Sequence, residues 1–216
     1  MKYRLAFGIA ALAGLAACSN GSTANGNSPA ADNSAAPVAA TPTPTATPTP
    51  APRDLDALLA YSDPAKCTLG PALEKIAYDD LFDNDSNDRV IPKDIRLPGF
   101  DKPVRSIVTH PQKDNASYFE AKLPIEGVWH GLPVTALTQV GYEESEMQPE
   151  PLITIDAPRA TIVDTLRKAG FKLNADGKEN DAQFKDKDGE QLIAETGMDD
   201  AAGGKFQFYC RVSSAE

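Results

Sequence analysis

From residue 54 onward the spacing of apolar positions switches between a helical period and an alternating one. Asp54-Leu55-Asp56-Ala57-Leu58-Leu59-Ala60 predicts a short helix with Asp54 as its N-cap. Pro71 predicts the opening of a second helix, since proline suits the first turn. Leu73, Ile76, Ala77 and Leu81 then fall on one face. The polar run Asp83-Asn84-Asp85-Ser86-Asn87-Asp88 ends it. From Val104 the period becomes two. Val104–Val108, Tyr118–Leu123, Val134–Tyr142 and Leu152–Ile155 read as strands, rich in β-branched and aromatic residues and separated by proline and glycine. A helix follows over residues 158–169. Pro158 stands in its first turn, Ile162, Val163, Leu166 and Ala169 form its apolar stripe, and Gly170 stops it. Phe171–Leu173, Ala182–Lys185 and Glu190–Glu195 read as a meander with turns at Asn174–Gly177 and Asp186–Gly189. In the last strand Phe206, Phe208 and Cys210 alternate with polar positions, which predicts that Phe206 and Phe208 face the core. The fold class expected is α+β: a mainly antiparallel sheet with two or three helices packed on one face.

The beginning of the chain is different. Lys2 and Arg4 precede an apolar stretch, Leu5–Ala17, that falls well short of the roughly 20 residues needed to span a bilayer. A basic start, a short apolar core and small residues at its end read as a secretory signal. Leu15-Ala16-Ala17-Cys18 resembles the lipobox of bacterial lipoproteins. That resemblance implies cleavage before Cys18, a diacylglyceryl thioether on its sulfur and acylation of the new amino terminus. It also implies a location in the cell envelope, with Ser19 rather than aspartate after the cysteine favouring the outer membrane.

Residues 18–53 are nearly all Ala, Thr, Pro, Ser, Asn and Gly, with Thr-Pro units at residues 41–44 and 47–50. Such a segment cannot bury a core and is expected to be a disordered tether. Its proline-rich part, extended at about 3.1 Å per residue, would reach roughly 37 Å. Residues 54–216 then form a single domain, long enough for a real core. The whole chain carries a net charge of −10. Cleavage after residue 17 would remove Lys2 and Arg4 and no acid, leaving −12. So acidic a chain has no basic footprint for nucleic acid and is repelled by anionic lipid, so the anchor must supply membrane attachment.

With Cys18 assigned to the anchor, Cys67 and Cys210 remain as an even pair in an oxidising compartment, which predicts a Cys67–Cys210 disulfide. The run after Leu81 reads first as a solvated loop ending a helix. It also resembles part of an EF-hand calcium loop, with Asp83, Asp85 and Asn87 at positions 1, 3 and 5 and Asp94 at position 12. It departs from that loop in carrying Asp88 where glycine makes the turn, and Asp rather than Glu at the end. No motif calls for another cofactor.

His110 and His130 are the only histidines. No nucleophile elbow or phosphate loop accompanies them. Trp129, Tyr118 and Phe119 suit the core, with an aromatic ligand patch as the other reading. Glu143-Glu144-Ser145-Glu146 reads as a solvated turn, or else as a docking surface for a basic partner. The function expected is non-catalytic binding of an envelope protein or component by a membrane-anchored acidic domain. The alternatives are inhibition of a basic envelope hydrolase such as lysozyme, and a periplasmic enzyme whose acidic site is drawn from distant segments.

Overall fold

The computed structural model describes residues 51–111, 117–142 and 150–214. Cys18, the tether to Pro50 and the run Glu143–Glu146 lie outside the described residues. The first elements are β1 (Tyr61–Asp63), β2 (Thr68–Leu69), α1 (Pro71–Lys75), β3 (Phe82–Asn84), β4 (Val90–Pro92), β5 (Asp94–Ile95) and β6 (Val104–Arg105). There follow β7 (Ile107–Thr109), β8 (Tyr118–Leu123), β9 (Gly127–Trp129), β10 (Leu132–Tyr142) and β11 (Leu152–Ile155). The chain closes with α2 (Arg159–Lys168), β12 (Asn180–Lys185), β13 (Gln191–Ala201) and β14 (Lys205–Ser214).

One antiparallel sheet dominates, in the order β12-β13-β14-β11-β10-β8-β7, with β9 paired to β10. It is two meanders joined through β11 and β14, whose register runs from Leu152↔Tyr209 to Ile155↔Phe206. Helix α2 carries the chain from β11 in mid-sheet to the edge strand β12. Its stripe of Ile162, Val163 and Leu166 is buried in the same core as Trp129 and Phe208. Two-stranded ribbons β1-β2, β3-β4 and β5-β6 complete the architecture.

The sheet matches the alternation in the sequence, and β8 and β11 have the expected bounds. The helices are small: among the described residues there are two short α-helices, five and ten residues long. Residues 54–60 do not form one. The Asp54 carboxylate caps the amide of Asp56 at 2.8 Å, as an N-cap does. But Arg53–Leu55 is held extended against β9, with Val128 N donating to Arg53 O and Leu55 N to Val128 O. Only a single turn remains before β1. Gly127 permits this approach, because a Cβ there would lie 2.4 Å from Arg53 O.

The segment Val104–Val108 is not one strand. Ser106 is buried and bonds Lys93 through both its amide and its hydroxyl, so the chain leaves one ribbon at Arg105 and joins the main sheet at Ile107. Phe171 and Leu173 are buried and Lys172 is exposed, but the segment is not paired as a strand; the Lys172 carbonyl accepts from the Thr196 hydroxyl instead of a ladder amide. In β14 Phe208 is fully buried, whereas Phe206 is half-buried under the Arg159 guanidinium, 4.5 Å from its ring centre.

At the centre of the core, Trp129, Phe171 and Phe208 pack with Tyr61, with ring centres 5.0–6.5 Å apart. Edge-to-face arrangements of this kind add to the area they bury. Trp129 and Phe119 are therefore core residues. Tyr118 lies elsewhere, edge-on to Tyr142 across β8 and β10, so the three aromatics do not form one ligand patch.

Candidate functional site

The Cys67–Cys210 disulfide forms, with Cα atoms 5.1 Å apart across a sequence separation of 143. The Asp63 carboxylate accepts from Ala65 N and opens a single 3-10 turn, Pro64–Lys66. Cys67 then takes a left-handed backbone, φ 54°, which aims its sulfur at β14. Cys210 shares the inward face of β14 with Phe208. Both cysteines are buried.

A cleft of about 250 Å³ opens beside this bond. Leu69 and the disulfide form its apolar part, Val212 its far side, and Glu74, Tyr78, Glu150 and Arg211 its charged and aromatic walls. The wall is set by helical chemistry. Pro71 starts α1 after Gly70, whose amide bonds Ala60 O and whose missing Cβ leaves room for that carbonyl. The helix then widens into a π turn, Ile76–Asp80. Such widened turns are rare and concentrate at functional sites. This one keeps Ile76 and Ala77 buried while Tyr78 stands 55% exposed. Burial followed by the charge of Glu74 pushes the Tyr78 hydroxyl pKa upward.

Arg211 anchors the opposite wall. Its guanidinium reaches Glu195 at 2.5 Å, Glu150 at 3.2 Å and Glu179 at 3.7 Å. The Ser213 hydroxyl donates to Glu195 at 2.8 Å, and the Tyr209 hydroxyl to Glu179 at 3.0 Å. Arg211 and Glu195 are direct cross-strand partners on β14 and β13, which is why they meet. Burial pushes the Glu195 carboxyl up, but the Ser213 hydroxyl and the Arg211 guanidinium outweigh it and hold it below its ordinary range. A general acid working near neutral pH needs a shift the other way.

This network makes a pH prediction. Glu195 is lowered, so its contribution is present above the ordinary glutamate value of 4.5 and is lost as pH falls through its folded value. Arg211→Met leaves three carboxylates facing one another. It should cost about 1–3 kcal/mol at pH 7, less than for a fully buried pair because Arg211 is 36% exposed. Urea midpoints of the two proteins should converge as pH falls through the lowered folded value of Glu195. A gap that persists unchanged to pH 3 would contradict this arrangement.

The other sequence candidates are dispersed. Asp83, Asp85 and Asn87 lie on the β3-β4 hairpin, not on a helix end. The Asp85 carboxylate caps the turn, accepting from Asn87 N at 2.8 Å and Arg89 N at 3.1 Å, and those bonds lower its pKa. Asp88 adopts the left-handed backbone, φ 57°, that a glycine would otherwise supply. Asp94 lies on β5 and pairs with Arg105 at 3.1 Å. Among the described residues no group of three or more His, Cys, Asp or Glu side chains is placed to hold a metal ion. His110 is exposed on the loop after β7. His130 and Gly131, both at positive φ, make the two-residue turn of the β9-β10 hairpin, and His130 N donates to Asp56.

The sequence reading missed Tyr78, Glu74, Arg211 and Glu195. A signal existed for two of them. Glu74 and Tyr78 are spaced i, i+4 on the outer face of the helix expected at Pro71, and a tyrosine on a solvent face is worth attention. Nothing local in the sequence pairs Arg211 with Glu195. Comparison with protein-family models, curated proteins and solved structures finds no match for the chain.

Proposed function

We propose that this chain is an exported lipoprotein, held in the cell envelope by acyl chains on Cys18, whose acidic domain binds a protein or another envelope component without catalysing a reaction. The anchor rests on Lys2, Arg4, the short apolar stretch and Leu15-Ala16-Ala17-Cys18. Two or more acyl chains make attachment durable, and Ser19 favours the outer membrane. The tether lets an acidic domain work close to a surface that repels it.

The observation that carries the binding reading is the cleft beside the disulfide. It joins an exposed tyrosine to charged walls, and of its two acids Glu150 is tied to Arg211 while Glu74 is exposed. Inhibition of a basic hydrolase is one form such binding could take, and the negative charge is its motive.

A photo-crosslinking amino acid placed in turn at Tyr78, Val212, Ile107 and Tyr142 of the full lipidated chain tests the reading in the native envelope. These side chains are 37–55% exposed. The expected result is one discrete adduct, formed from a subset of the four positions. Adducts from none of them, or the same smear from all, would contradict it.

A further inference from the structure

We infer that Arg53 clasps the junction between tether and domain, so that a trypsin-class protease, which cuts after arginine or lysine, is kept from severing the domain from its anchor. The consequence rests on the anchored reading above, while the clasp stands on contacts within the domain.

The sequence sets the problem. Chain at the end of a domain is a preferred place for proteolytic nicking. Residues 19–52 contain no Lys, Arg, Leu, Ile, Met or aromatic residue, and Val38 is their only large apolar side chain. The side chains that common endoproteases seek therefore begin at Arg53. One cut after it would release residues 54–216. The next basic residue, Lys66, lies within the fold, in the 3-10 turn before Cys67.

The structure answers it at that residue. Arg53 Nε donates to Gly99 O at 3.0 Å, and Nη1 donates to Glu126 O at 3.4 Å. The guanidinium lies over the Phe100 ring, 3.8 Å from its centre. Phe100 is itself packed against the core, so the ring is held in place. The backbone is engaged as well. Arg53 O accepts from Val128 N at 2.7 Å, and Leu55 N donates to Val128 O at 2.8 Å. The bond from Arg53 to Asp54 lies between those two hydrogen bonds, and Leu55 is buried just beyond it.

A trypsin-class protease must draw the arginine side chain into its specificity pocket. It must also take the flanking backbone into its cleft. Here both are already occupied. The shape of the guanidinium matters, because a planar fork reaches two carbonyls and stacks on a ring, which an ammonium does not. Cleavage should then follow the small population in which the junction has opened.

The test uses the full chain purified from cells that make it, treated with trypsin, with fragment masses followed over time. A peptide of residues 46–60 gives the rate at an unclasped position 53, and peptides with the same substitution normalise the position 53 variant. The wild-type chain should be cut after Arg53 at least about a hundredfold more slowly than the peptide. Arg53→Lys keeps a site that trypsin recognises but loses the fork, and Phe100→Leu loses the ring. Each should narrow that gap about tenfold. Phe100→Tyr, which keeps an aromatic face, should stay within about threefold of the parent. The cut after Lys66 reports opening of the domain itself, and it should not speed up in any variant.

A wild-type chain cut after Arg53 as fast as the peptide, no acceleration in Arg53→Lys and Phe100→Leu, or equal acceleration at Lys66 would each overturn the inference. Cleavage should also move residues 54–216 from the detergent phase to the aqueous phase. A slow cut in a chain that is aqueous before cleavage would leave the clasp standing and contradict the anchor.

Discussion

Replacing both Cys67 and Cys210 with serine should lower the stability of the domain by up to about 5 kcal/mol. The bond closes a loop of 143 residues, and the entropy withheld from the unfolded chain grows with loop length. The loss should not be even across the fold. The disulfide joins the segment around β1 and β2 to β14, and that segment has little ladder of its own. Its ribbon β1-β2 has only two register pairs, with an irregularity between them. Cys67 also sits at φ 54°, a conformation that a β-carbon disfavours and that the crosslink helps to hold. Without the bond, amides of residues 61–82 should exchange with solvent before those of β10 and β13. The chain has a single tryptophan, Trp129, and it is fully buried, so its emission reports global unfolding directly. Urea unfolding followed by that emission, with and without the bond, measures the loss. Equal midpoints would show that the disulfide does not hold the domain together.

Trp129→Ala should cost about 3–5 kcal/mol, and Trp129→Phe less than half of that. Trp129 touches Tyr61, Phe171 and Phe208, so alanine leaves a hole where the two meanders and the connection after α2 converge. Its indole nitrogen is buried and has no hydrogen-bond partner among the described residues. An unsatisfied buried donor is destabilising. Phenylalanine removes that donor and keeps one ring in the cluster, so part of the lost packing is offset. Denaturation followed by far-UV circular dichroism separates the two variants. Equal losses for alanine and phenylalanine would mean that the indole is stabilised by a bond not present here.

Parts of the sheet were legible because burial there follows the two-residue period. In β8 Phe119, Ala121 and Leu123 are buried, and the positions between them are partly or fully exposed. Helix α2 was legible because Pro158, Gly170 and the apolar stripe agreed. The helix expected at residues 54–60 failed because its first residues are claimed by a backbone partner, Val128, far along the chain. Propensity loses to such a contact, since a short helix has little stability of its own. The Asp83–Asp88 run, expected as the loop that ends a helix, forms a hairpin turn instead. Asp and Asn cap tight turns as readily as they end helices or hold cations, because one carboxylate can accept several amides. The His130-Gly131 turn was readable in principle, as glycine at its second position is the usual mark of a two-residue hairpin.

The candidate site was less legible than the fold. Cys67 and Cys210 could be paired from the sequence because removing Cys18 from the count leaves two. The cleft they border could not, because its walls come from α1 and from β14 at opposite ends of the domain. Arg211 meets Glu195 through strand register, and it meets Glu150 and Glu179 through the way the chain folds back. Neither relation leaves a spacing in the sequence. Charge did leave a trace: the acidity that reads as solubility includes Glu74, which lines the cleft beside an exposed tyrosine.

The proposed function sets an acidic binding domain on a tether, and that tether has meaning only if Cys18 is the anchor. Intact mass spectrometry of the full chain, isolated from the membrane fraction of cells that make it, tests that most directly. The expected product is a mature chain that begins at Cys18, carries a diacylglyceryl group and an amino-terminal acyl chain, and enters the detergent phase. Cys18→Ser should remove the lipid mass and leave the protein in the aqueous phase. A wild-type chain that begins elsewhere, or one that begins at Cys18 with no lipid mass and stays aqueous, would contradict the account.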